Sequence, residues 1–416
     1  MLPVLFVLTA CAALLFVLGM PISYRFDRAL SNDRDGIPPE YELPHYYVLS
    51  DGRVDTSARW PGWDGWYFFM LPDKRDIPTR MIRGSLMTGL YGLEGIDNYA
   101  EVLLRLSNFE AAEHLCLVPT EEQIEGRPER ENFLSQHYLP RETDLQMDHR
   151  ELDVAITGPG VYQDEKRETW GRIRGHWPDY EIEFVNPEAG ITFELSYTGE
   201  RLVWWADFRE LFTYFAAFGQ FEGSITYSRG TRLDDAHAIE GERETYELSG
   251  RGSFEHGFAR KPFDFDAPSL PVRMLGRLFP TRVIHYHYEL FIGDDGHEGG
   301  FMKAGGAGVR MRDHGGIYVD GRYVPVRSIK VKYLEDEGYD YVDKHCHGEP
   351  QVRFPRAWRV RAQTPEGELE YTARRDWPPA TIAPHMMYYY FEYEGTHAGR
   401  PISGRGYGEY VDFGPV

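Results

Sequence analysis

The chain alternates apolar and polar residues with a period of two over long stretches. Tyr180-Glu-Ile182-Glu-Phe184 and Ile191-Thr-Phe193-Glu-Leu195-Ser-Tyr197 set every second side chain on one face, as half-buried antiparallel strands do. Asn186-Pro-Glu-Ala-Gly190 between them has turn chemistry, so the pair predicts a hairpin. Strand-like runs follow at Leu202-Val-Trp204-Trp205-Ala, at Phe212-Thr-Tyr214-Phe215 and at Gly223-Ser-Ile-Thr-Tyr227. Further on, Val283-Ile-His285-Tyr-His287-Tyr-Glu-Leu-Phe291 predicts a strand turned by Gly293-Asp-Asp-Gly296. Asp320-Gly321 between apolar runs is a two-residue hairpin signal. Trp358-Arg-Val360-Arg-Ala362 and Leu369-Glu-Tyr371-Thr-Ala373 flank Thr364-Pro-Glu-Gly367, another hairpin. Trp60-Pro-Gly-Trp63-Asp-Gly-Trp66 reads as an aromatic turn entering a strand that lines a core or cavity. Asn98 to Leu117 fits a helical face in part and, at Val102-Leu-Leu-Arg-Leu106, a strand, and Pro119 to Arg141 reads as a surface loop. No strand–helix alternation appears, so the pattern predicts antiparallel meanders that close into barrels or sandwiches.

One motif occurs twice in this pattern. Ser249-Gly250-Arg251-Gly252-Ser253-Phe254-Glu255-His256 returns as Ser403-Gly404-Arg405-Gly406-Tyr407-Gly408-Glu409-Tyr410, 154 residues on. Each copy follows an aromatic run and a Glu-Gly pair read as a turn: Phe212 to Phe215 then Phe221-Glu-Gly223, and Tyr388-Tyr-Tyr390-Phe391 then Tyr393-Glu-Gly395. The shared order points to an internal duplication, with Gly250, Gly252, Gly404, Gly406 and Glu409 as its structural signature. Residues 45–260 form the first unit and 261–416 the second, with the Pro-rich Lys261 to Pro280 as connector.

The N-terminus departs from this pattern. Leu2 to Ile22 carries no charge over 21 residues, which as a helix would span roughly 31 Å and cross the hydrocarbon of a bilayer. No Lys or Arg precedes it, which favours a retained anchor over 1–24 rather than a cleaved signal peptide. Arg25, Arg28 and Arg34 flank its C-terminal end and place the body in the cytoplasm, beyond a linker over 25–44. The net charge of −21 repels phosphate backbones, so nucleic acid is excluded as a partner. Only 7 of the 45 basic residues are Lys, a bias of GC-rich bacterial genomes. Cys11, Cys116 and Cys346 form no disulfide framework.

A tandem of β units, each closing on Gly-x-Gly-x-x-Glu, resembles the two-domain lipocalin-like proteins, which include carotenoid 1,2-hydratase, fungal Diels–Alderases and yeast survival factor. The carrying residues are Gly250-Arg-Gly252-Ser-Phe-Glu255-His256 and Gly404-Arg-Gly406-Tyr-Gly-Glu409. The resemblance implies an all-β chain of two lipocalin-like antiparallel barrels and a large apolar ligand, a lipid, isoprenoid or polyketide. It carries over no catalytic residue, and it groups binding proteins with hydratases and cyclisation enzymes. Binding of a hydrophobic small molecule at the membrane is the leading expectation, without a cofactor. The alternative is a cofactor-independent hydratase or cyclase acting on an unsaturated apolar substrate.

Such chemistry needs a proton donor in an apolar pocket, and a buried carboxylic acid supplies one. Glu255 is a candidate; Glu409 repeats it in the second unit. The simpler reading is that each glutamate closes the fold, capping backbone N–H groups or pairing with Arg251 or Arg405. His256 adjoins Glu255, while His285 and His287 share one face of a strand. A His-x-His pair with His345-Cys346-His347 has no recognised metal spacing, so no metal site is assigned and the histidines stand as acid–base candidates. Trp204, Tyr214, Tyr388 and Tyr390 are the candidate ligand-lining aromatics.

Overall fold

The structure, a computed structural model, describes residues 23–24, 62–73, 79–88, 98–106, 134–137, 144–147, 152–158, 168–186, 191–208, 212–228, 243–260, 284–306, 309–310, 314–340, 351–375, 380–383 and 386–413. The expected anchor over Leu2 to Ile22, the linker, the connector, the three cysteines and His345 to His347 lie outside the described residues. Among those described there is no helix.

The strands of the first sheet are β1 (Ser23–Tyr24), β2 (Gly62–Pro72), β3 (Thr79–Thr88), β4 (Asn98–Leu106), β5 (Leu134–His137), β6 (Asp144–Met147), β7 (Leu152–Gly158), β8 (Glu168–His176), β9 (Asp179–Asn186), β10 (Ile191–Phe208), β11 (Phe212–Ser228) and β12 (Arg243–Arg260). The second sheet comprises β13 (Ile284–Gly293), β14 (Glu298–Gly306), β15 (Val309–Arg310), β16 (His314–Val319), β17 (Arg322–Pro325), β18 (Arg327–Asp340), β19 (Gln351–Thr364), β20 (Gly367–Arg374), β21 (Ala380–Ala383), β22 (Met386–His397) and β23 (Arg400–Phe413). The first sheet runs β5-β4-β3-β2-β12-β11-β10-β9-β8-β7-β6, with β1 against β10. The second runs β17-β16-β14-β13-β23-β22-β20-β19-β18, with β15 on β14 and β21 on β22. Each is an up-and-down meander in which the last long strand joins the first, β12 to β2 and β23 to β13. Each opens at a single place in that order, at β5 and β6 or at β17 and β18. The sheets therefore curl as half-barrels, and β3 and β4 approach β7 and β8 across the opening of the first.

The motif strands are these seams. Gly252 lies opposite Met70 and Gly219, and Gly406 opposite Phe291 and Phe391, so the two copies hold the same register. A Cβ at Gly252 would sit 1.7 Å from the carbonyl oxygen of Phe69. The seam closes that tightly because no side chain stands in the way.

Several expectations change in detail. The Glu-Gly pairs are not turns: Gly223 lies inside β11 and Gly395 inside β22. A Cβ at Gly223 would meet Glu194 O at 2.0 Å, and one at Gly395 would meet Glu370 O at 2.0 Å, so glycine serves close strand approach in both sheets. Ile191 to Tyr197 and Leu202 to Ala206 merge into one 18-residue strand, with irregular pairing at Gly199/Arg201 and Leu202/Trp204. The first part of the ambiguous segment, Asn98–Leu106, is strand β4, its remainder lies outside the described residues, and the expected loop over Pro119 to Arg141 contains β5. The hairpin at Asp320-Gly321 forms as expected, with φ of 51° and 73° and Val319 paired to Arg322.

Strand alternation divides each sheet between two faces. The concave face of the second sheet buries Phe291, Phe301, Trp358, Tyr389 and Phe391. Tyr288, Leu290, Tyr388, Tyr390 and Tyr407 point the other way and join the core of the first sheet. The two half-barrels thus share a core, with Phe69 of β2 stacked on Tyr407 of β23 at 4.1 Å. Tyr388 and Tyr390 face the first sheet rather than the interior of their own, because that interior takes Tyr389 and Phe391.

Candidate active site between the two sheets

On β12, alternation sends Arg251, Ser253 and Glu255 to the inter-sheet face and Gly252, Phe254 and His256 to the concave face. On β23 it sends Arg405, Tyr407 and Glu409 to the same shared face. The motif glutamates, 154 residues apart in sequence, therefore come near each other between the sheets, where Tyr288, in register with Glu409, donates to Glu255.

Glu255 is buried and is not paired with its neighbour Arg251. Its carboxyl accepts hydrogen bonds from Ser253 Oγ at 2.5 Å, from Tyr288 Oη at 3.1 Å across the interface, and from Tyr214. Burial, and then the charge of Glu409, push the Glu255 carboxyl up to about 7, against these three donors. Glu409 accepts from Tyr407 Oη at 2.5 Å and Tyr286 Oη at 3.0 Å. Its carboxyl is also raised by burial, and Arg83 opposes the rise. Tyr214, Tyr286 and Tyr407 are pushed well above the usual phenol range by burial and by the carboxylates, so they remain O–H donors at neutral pH. Glu255 therefore keeps its proton up to about neutral pH, and because the Glu409 charge acts on it the two carboxyls titrate as a coupled pair.

Arg83 reaches this site from β3, 1% exposed. Its guanidinium lies 3.7 Å from the Tyr388 ring centroid and 5.8 Å from that of Tyr67, and Nε donates to Tyr407 Oη at 3.3 Å. Of the donor tyrosines, Tyr407 fills a variable motif position and Tyr214 was a candidate lining aromatic, whereas Arg83, Tyr286 and Tyr288 carried no motif. The available signal for Arg83 was a charge inside the apolar run Met81-Ile-Arg-Gly-Ser-Leu86. Tyr214 and Tyr286 are partly buried residues packed against this core.

At the far end, Arg251 bridges the sheets. It donates to Glu200 of β10 at 2.7 Å and to Glu298 of β14, which also accepts from Arg201 at 3.0 Å. The motif arginine thus clasps one sheet to the other rather than neutralising the motif glutamate.

The histidine candidates separate from the glutamates. His256 points into the first half-barrel, where Nε2 lies 2.6 Å from Asp64 Oδ1 and the ring stacks on Trp66 at 4.7 Å. Adjacency to Glu255 in sequence therefore means opposite faces in space. His287 points into the second half-barrel, bonded to Glu289 through Nε2, with Nδ1 3.2 Å from Tyr333 Oη. Glu289 also accepts from Trp358 and Tyr371, a buried cluster with no sequence motif. The side chains of His285 and Trp204 lie outside the described residues; in register Trp204 pairs with Ala216, which pairs with Glu255. Among the described residues no group of three or more His, Cys, Asp or Glu is placed to hold a metal. An open groove of about 780 Å³ lies elsewhere on the second sheet, beside Asp294, Asp295, Glu370 and Glu394, and shares no residue with the glutamate pair.

No protein-family model and no curated protein matches the sequence. Solved structures do share its fold. CghA with Sch210972 superposes with a TM-score of 0.54 at 10% identity, over 86% of this chain and 89% of that one. CghA alone gives 0.54 at 11%, over 92% and 98%. A putative AttH from Nitrosomonas europaea covers 92% of this chain and 100% of its own, at 12% identity and a TM-score of 0.47. The chain thus has the all-β, two-sheet architecture that the lipocalin-like resemblance implies.

Proposed function

We propose that the chain takes a hydrophobic, unsaturated small molecule between its two sheets and acts on it by acid–base catalysis, without a cofactor. The meeting of Glu255 and Glu409 in one aromatic interface carries this reading. Protonated Glu255 would deliver its proton to an alkene carbon. Glu409 as carboxylate would take a proton, from an attacking water in hydration or from the product cation in cyclisation. Return of that proton from Glu409 to Glu255 resets the pair. The electron-rich faces of Tyr67, Tyr288 and Tyr407 suit a cationic intermediate. Residues 2–22 would anchor the protein at the membrane where such ligands partition, with the body in the cytoplasm. Binding without reaction is the second reading, supported by a small molecule, Sch210972, held by CghA.

Mass spectrometry of apolar compounds extracted from purified wild type and Glu255→Gln separates these readings. Catalysis predicts that the variant carries the untransformed compound and the wild type its hydrated or isomeric product. Identical profiles leave binding alone, and no apolar compound in either sinks both. Deletion of residues 1–24 should release the body to the soluble fraction; retention at the membrane would overturn the single anchor.

A further inference from the structure

The two motif glutamates sit at the same place in the two seam strands, yet their surroundings differ at one variable motif position. Two residues before Glu255 stands Ser253, and two residues before Glu409 stands Tyr407. Both hydroxyls donate to their glutamate at 2.5 Å. The Ser253 hydroxyl is small and, among the described residues, bonds Glu255 with no cation behind it. The Tyr407 hydroxyl accepts from Arg83 Nε on one side while donating to Glu409 Oε1 on the other. Hydrogen bonds in such a chain polarise one another, so the guanidinium strengthens the bond that Glu409 receives. Its positive charge also favours the ionised form of a nearby carboxyl directly.

Among the described residues Arg83 is the cation that acts on the Glu409 carboxyl, while Arg405 stands four residues along the same strand. Tyr286 and Tyr288 from β13, Tyr388 from β22 and Tyr214 from β11 are neutral phenols, and Glu255 from β12 is an acid. Arg83 is held in place by the Tyr388 ring beneath it at 3.7 Å.

We propose that Arg83, acting through Tyr407, is the positioning residue that keeps Glu409 ionised and leaves the shared proton on Glu255. The arrangement makes an otherwise symmetric pair directional, with one acid and one base defined before any ligand arrives. This assignment rests on the acid–base reading of the site, and its test needs no ligand. Infrared spectra of the full chain, titrated over pH, report each protonated carboxyl through its C=O stretch. The Glu255→Gln variant, referenced to the Glu255→Gln/Glu409→Gln double variant, isolates Glu409; Glu409→Gln against the same double variant isolates Glu255.

The Glu409 midpoint should lie below that of Glu255. Adding Arg83→Met to Glu255→Gln should raise the Glu409 midpoint by about one pH unit or more, as loss of a neighbouring cation does. Adding Tyr407→Phe, which keeps the cation and cuts the chain, should raise it by less. Should Arg83→Met fail to fold, Tyr407→Phe and Arg83→Lys carry the test, since lysine keeps the charge but lacks the Nε–H donor. A Glu409 midpoint above that of Glu255, or one that none of these substitutions moves, overturns the proposal. Those outcomes would leave the extraction experiment free to support catalysis, just as identical extracts would end the catalytic reading while leaving the titration intact.

Discussion

The strands β12 and β23 carry the same motif and do unequal work. Both seal a half-barrel with Gly-x-Gly, and both send a glutamate to the shared face. Around Glu255 the donors are Ser253, Tyr214 and Tyr288; around Glu409 they are Tyr407 and Tyr286, backed by Arg83. On the concave side the exchange is larger. Phe254 packs on Tyr180 at 4.1 Å in the first sheet, where the second has Gly408, whose Cβ would meet the Tyr389 ring at 2.3 Å. The two seams share their backbone constraints and differ in what each presents. Glycines at the join answer to neighbouring backbone and cannot vary freely, while residues two apart on one face can.

The seam itself offers the largest effect by which to probe this pairing. Gly252→Ala puts a methyl against the Phe69 carbonyl, which is fixed in the ladder, and should cost about 3–5 kcal/mol or prevent folding. Gly406→Ala meets first the Phe391 ring at 2.3 Å and then Leu290 O at 2.6 Å; the ring can move, so about 1–3 kcal/mol is expected. Urea unfolding of both variants checks the order, and equal losses would mean the two seams are equally tight.

Next in size is the pH dependence of stability. An ordinary glutamate titrates near 4.5, while Glu255 is raised to about 7. The folded protein therefore keeps a proton that the unfolded chain has lost. Its stabilising contribution is complete below pH 4.5 and is lost as pH rises through 7, amounting to about 3 kcal/mol in all. The wild-type melting temperature should fall between pH 5 and pH 8, and Glu255→Gln should flatten that fall. Parallel curves would show that Glu255 titrates normally.

The smallest effect concerns Ser253. Ser253→Ala removes one donor to Glu255, which should raise its midpoint slightly and cost about 1 kcal/mol, more at pH 8 than at pH 5. A loss independent of pH would place the hydroxyl's value in packing rather than in the carboxylate.

The fold was legible where local chemistry decides. Period-two alternation marked β9 and β10, Asp320-Gly321 fixed its hairpin, and the repeated Gly-x-Gly marked both seams. Gly223 and Gly395 misled, because a glycine that permits close strand approach looks in sequence like one that permits a turn. Arg251 misled as well: adjacency suggested a partner for Glu255, whereas its side chain reaches across to Glu298.

By itself, then, the sequence determined an antiparallel chain with a repeated motif, and even that each motif glutamate shares a face with the motif arginine, since four residues on a strand return to the same side. Only the tertiary structure decided which way those faces turn. Packing the half-barrels through that shared face brought Glu255 and Glu409 together, put His256 and His287 on the far sides, and delivered Arg83 from a strand with no motif. Those contacts join residues up to 324 positions apart, as Arg83 and Tyr407 are. Their energetics come from burial shared by two sheets, which no local pattern encodes.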